Sequence, residues 1–109
     1  KIDVDKFERY PADIRSALSS LQQHALAEMS MEYAKGCAKA FKNAKVQQQP
    51  GPDVRQAPFA VLRGACTGAL LELGHLSNTA EEKLLNTASH QDKLVNAIVK
   101  SINNYDFEV

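Results

Sequence analysis

Two short, uninterrupted apolar runs constrain this chain more than any other feature: FAVL at residues 59–62 and ALLEL at residues 69–73, the second broken only by Glu72. Continuous apolar runs of four to eight residues bounded by turn signals read as strands of a sheet covered on both faces. Between them lies RGACTG, residues 63–68, a turn with two glycines. Two strands cannot form an independently stable sheet, so further strands are expected to flank them. The chain opens on Lys1 rather than Met, which fits a processed product or a fragment. The expected fold class is α/β: the C-terminal part of a mixed, mostly parallel sheet flanked by helices.

The helices are legible from periodicity. Between Ala12 and about Ala44, Ile14, Leu18, Leu21, Ala25, Met29, Tyr33, Cys37 and Phe41 recur every three or four positions, the spacing of one helix face. Pro11 precedes the run, where its missing amide is harmless. Such a helix is roughly 45–50 Å long at ~1.5 Å per residue, and its apolar stripe is expected to pack on the sheet. The run QQQPGPD then ends it, because Pro50, Gly51 and Pro52 cannot continue a helix. After Gly74, Asn78 is placed to cap a short helix, with Glu81 at the capping-box spacing. Ser89 and Asp92 repeat that spacing before a final helix reaching about Asn103 and carrying Leu94, Val95, Ile98 and Ile102. The expected organisation is one domain: a lead-in at 1–11, the long helix at 12–44, a linker at 46–58, two strands within 59–73 and helices within 78–104.

Composition excludes some classes. Lysine plus arginine balance aspartate plus glutamate at 13 each, so charge gives no reason to expect nucleic acid or an anionic membrane as partner. No apolar run approaches the ~20 residues of a membrane span. Cys37 and Cys66 are too far apart for a CxxC motif and read as unpaired small side chains.

Glu72 is the residue that suggests chemistry. A carboxylate inside an apolar strand is costly unless paired or metal-bound. It also lies near the strand's C-terminal end, where open α/β sheets place ligands. Such a carboxylate suits a general base or acid; an edge-strand glutamate facing water, or one paired with an arginine, explains the pattern equally well. The three histidines, His24, His75 and His90, have no ligand spacing to one another and read as structural or surface residues. His75 stands out because it follows Glu72 by three positions.

The segment from Arg55 to Leu85, RQAPFAVLRGACTGALLELGHLSNTAEEKLL, resembles the last part of the catalytic domain of zinc-dependent bacterial N-acetylmuramoyl-L-alanine amidases. In that family a strand like Phe59 to Arg63 is followed by a short loop. A strand ending in glutamate, a small residue, an apolar residue with LSN, and an acidic helix ending KLL come next. The long helix and the final helix also fit, so the resemblance covers most of the chain. It implies hydrolysis of the amide between N-acetylmuramic acid and L-alanine in peptidoglycan, with Glu72 as general base and acid. It implies one zinc ion whose ligands, two histidines and a glutamate, lie upstream of this chain, so no metal ligand is expected here. Arg55 and Gln56 match a recurrent pair bordering the cleft, though hydrogen bonding to loop carbonyls accounts for them as well. His75 stands where the family often has a bulky apolar or aromatic residue and could line the cleft. The RGACTG loop departs from the family's more acidic or proline-containing stretch. The resemblance further implies a periplasmic or extracellular location and an activator protein, with residues 1–11 and the start of the long helix as the candidate regulatory surface.

Two other readings stand beside this one. A non-catalytic member of the same fold would bind cell wall or another protein through the same surface. An unrelated helical interaction module built on residues 12–44 is the third, but it leaves the order ALLELG, HLSN and capped helix without a reason.

Overall fold

A computed structural model describes residues 8–57, 62 and 66–105. Three helices occur among them: α1 (Ala12–Asn43), α2 (Thr79–Leu85) and α3 (Ala88–Asn103). The α/β expectation is overturned: among the described residues there is no strand and no sheet. A strand exists only through its ladder to a neighbour, and residues 69–73 run without such pairing. Of the first expected strand, residues 59–61 lie outside the described residues, as do residues 63–65 of the intervening turn, the start of the lead-in and the final four residues. The 69–73 segment instead lies over the C-terminal half of α1. Leu71 joins the core there, while Leu70 and Leu73 stay 44% and 43% exposed.

The core forms where α3 crosses α1. Cys37 and Phe41 of α1 pack with Leu94 and Ala97 of α3, and Tyr33, Val46, Leu71, Leu85 and Ile98 close around them. This corrects the expected partner of the α1 stripe, which is α3 and not a sheet. It also corrects the extent of its burial. Cys37 is buried, Leu18 and Met29 are half-buried, and Ala25 and Leu21 are exposed, Leu21 at 68%. The reason is length: α1 has 32 residues and α3 has 16, so at ~1.5 Å per residue α3 can cover only about half of α1. Tyr105 closes the contact after α3, donating its hydroxyl to the Met29 carbonyl at 3.0 Å. Its ring meets Tyr33 edge-on at 5.0 Å.

The ends of the helices set the loops that carry the candidate site. At the end of α1, Lys45 takes a left-handed conformation (φ 60°) and the Val46 N–H reaches back to the Phe41 carbonyl at 3.0 Å, which turns the chain back along the helix. An ion pair between Lys42 and Asp53 fastens the returning linker. Asn78 caps α2 as its position suggested, accepting from the N–H groups of Ala80 at 3.0 Å and Glu81 at 3.1 Å. The cap expected at Ser89 is not formed. Thr87 occupies the N-cap of α3 and makes no side-chain cap bond, because its hydroxyl donates to the Lys83 carbonyl of the preceding helix at 2.9 Å.

Candidate functional site

An open groove of about 820 Å³ runs along the described residues. Its back is the middle and C-terminal half of α1, its sides are the linker from Val46 to Ala57 and the extended segment up to His75. Glu72, His75, Arg55 and Gln56, far apart in places along the chain, all line it.

Among the described residues, one hydrogen bond ties the extended segment to α1: the Gly68 N–H donates to Ser30 Oγ at 3.0 Å. Four residues on, Glu72 is exposed. The sequence argument expected apolar surroundings to make this carboxylate costly, and the groove gives it solvent instead. It has no hydrogen bond or ion pair among the described residues. Gly74 then turns the chain toward α2 at φ 157°, and a Cβ there would lie 3.1 Å from Leu85 Cδ1. That close approach packs the Gly74 backbone against Leu85, the last residue of α2.

Arg55 uses one guanidinium nitrogen on the Pro50 carbonyl, 3.1 Å away, folding the PGPD turn onto itself. Gly51 makes room for it with φ 105°. Arg55 lines the groove, and the Pro50 carbonyl is its one hydrogen-bond partner among the described residues. Gln56 also borders a second, smaller pocket of about 270 Å³ beside His24 and Glu28. His75 Nδ1 lies 3.6 Å from Glu81 Oε2, and Gln49 Nε2 donates to Glu81 Oε1 at 3.2 Å.

Sequence reasoning missed Ser30, Gln49 and Glu81. Ser30 sits on the polar flank of a helix stripe and Gln49 in a run of three glutamines, and neither position carries a local signal. Glu81 did carry one, but its capping-box spacing pointed to a different contact.

No group of three or more His, Cys, Asp or Glu side chains that could hold a metal ion occurs among the described residues. His24 pairs with Glu28 at 3.4 Å on the exposed face of α1. Cys37 is buried and Cys66 exposed, both as free thiols. No described helix is long and apolar enough to cross a membrane.

A family model described as N-acetylmuramoyl-L-alanine amidase matches residues 16–104. Searches of curated proteins and of solved structures returned no match.

Proposed function

This chain belongs to the N-acetylmuramoyl-L-alanine amidase family, and from that premise we propose that it carries the proton-transferring carboxylate of a peptidoglycan amidase, Glu72. The bond cleaved is the amide between the lactyl carbonyl of N-acetylmuramic acid and the α-amine of L-alanine. Glu72 takes a proton from the attacking water as the C–O bond forms. It returns that proton to the departing alanine nitrogen as the C–N bond breaks, leaving a carboxylate on the sugar and a free amine on the peptide. The observation that carries this reading is the shared groove: Glu72, Arg55, Gln56 and His75 line one open surface. An extended substrate needs such an open surface, and Glu72 is exposed on it with no ion pair among the described residues. Arg55, Gln56 and His75 are assigned to substrate binding, where a guanidinium, an amide and an imidazole match carbonyl and hydroxyl groups.

Zinc, which the family resemblance implies, does not fit the residues at hand. Two of the three histidines are paired with single carboxylates, and no three-donor set exists among the described residues. Glu72 is therefore given a proton-carrying role only, and none of the described residues is assigned as a metal ligand. The protein is placed in the periplasm or outside the cell, acting on peptidoglycan. An activator protein would engage residues 1–11 and the start of α1, whose apolar positions Ile14 and Leu21 are exposed.

The lack of a three-donor set among the described residues leaves room for a second reading, a non-catalytic member that binds cell wall or another protein through the groove. Product analysis separates the two. The complete protein, incubated with purified peptidoglycan, is expected to release free α-amino groups of alanine with no new reducing sugar ends. Binding to the sacculus with no amine released would establish the second reading.

A further inference from the structure

The Glu81 carboxylate joins two walls of the groove. One oxygen accepts from Gln49 of the linker at 3.2 Å, and the other lies 3.6 Å from His75 Nδ1. A glutamate at this spacing from an N-cap normally reaches back to the cap's own N–H. Here that N–H donates to the His75 carbonyl at 3.1 Å, and Asn78 satisfies the first turn with its side chain alone. Glu81 is thereby released from capping. Its side chain is only 27% exposed, against 56% for His75, although a glutamate serving only the helix dipole has no reason to leave water.

The contact sets Nδ1 as the edge of the imidazole turned toward the carboxylate. A separation of 3.6 Å is just beyond hydrogen-bond reach, so the carboxylate acts on the ring through its field. That field favours the proton on Nδ1 and leaves Nε2 as an acceptor in the neutral ring. Nε2 has no partner among the described residues, and both side chains line the groove that holds Glu72.

We infer that Glu81 is a positioning residue that orients His75, so that Nε2 accepts a hydrogen bond from a hydroxyl or amide N–H of the bound substrate. Through Gln49, the same carboxylate links this orientation to the position of the 46–57 linker. The inference rests on the hydrolase reading of the groove.

A double-mutant cycle in the complete protein, read as kcat/KM on dye-labelled peptidoglycan, tests it. His75→Ala and Glu81→Ala are each expected to lower kcat/KM roughly ten-fold, mostly through KM, and the double variant by about the same ten-fold and not a hundred-fold, because residues acting as one unit are non-additive. Glu81→Gln, which preserves helix propensity, guards against loss of fold and is expected to show a partial loss that vanishes in the His75→Ala background. Additive losses, or a silent Glu81→Ala, would overturn the inference. Glu72→Gln, run alongside, keeps the two failures apart. If it abolishes turnover while Glu81 and His75 prove additive, only the positioning role falls. If Glu72→Gln retains turnover, the proton-carrying role of Glu72 falls; if the unsubstituted protein itself shows no turnover, the hydrolase reading falls and this inference with it.

Discussion

The backbone N–H of Gly68 donates to the hydroxyl of Ser30 at 3.0 Å, joining positions 38 residues apart. It is the one hydrogen bond among the described residues that ties the extended 66–73 segment, and so Glu72, to the long helix. Ser30→Ala leaves a part-buried amide unpaired. The expected cost is about 1–3 kcal/mol of stability, with accelerated hydrogen exchange at Gly68. Unchanged exchange at that amide would show that the segment is held by other means.

The Asn78 cap is the second local prediction. Asn78→Ala removes the acceptor for two N–H groups and is expected to cost about 1 kcal/mol in urea unfolding. Ser89→Ala, at the cap suggested by sequence spacing but not formed, is expected to change stability by less than about 0.5 kcal/mol. Equal losses for the two variants would contradict the helix boundaries.

The α1–α3 contact predicts an asymmetry between an apolar residue inside it and one on the part of α1 beyond it. Leu94 is 4% exposed and Leu21 is 68% exposed. Leu94→Ala is expected to cost about 2–5 kcal/mol, while Leu21→Ala is expected to be nearly neutral. A large loss at Leu21 would mean that another surface covers the first half of α1.

Alkaline pH gives a further test. Burial pushes the Tyr33 phenol above its ordinary value of 10.0, with a hydrogen bond to Ser101 opposing and contacts with Cys37 reinforcing the rise. A raised folded-state pKa contributes stability that is complete below the unfolded value and is lost as pH rises through the folded one. Stability is therefore expected to fall above pH 10, and less steeply in Tyr33→Phe. Identical pH curves for the two proteins would exclude this contribution.

The helices were legible in the sequence because their signals are local. Periodicity marks α1, the PGP breaker ends it, and Asn78 has the side chain an N-cap requires. What misled was tertiary. The run ALLEL is apolar enough for a doubly covered strand, but a strand needs a neighbour's backbone, and no composition supplies one. Leu21 shares the stripe with Cys37, yet which of them is buried depends on the length of α3. Of the groove residues, Glu72 was singled out as a carboxylate in an apolar run and His75 by following it three positions on, whereas Arg55 and Gln56 came only from resemblance to a family. Glu81 was noticed for the wrong contact, since spacing alone cannot tell a capping glutamate from one turned toward a histidine.

The central claim is that Glu72 moves the proton. Glu72→Gln in the complete protein keeps the side chain's shape and one acceptor but cannot take a proton, so turnover of dye-labelled peptidoglycan is expected to fall ~10²–10⁴-fold. Thermal stability and bound metal should stay at wild-type levels. Glu82→Gln, an exposed neighbour on α2, should retain near-normal turnover. Wild-type turnover in Glu72→Gln, or a loss that appears only together with loss of metal, would contradict the assignment.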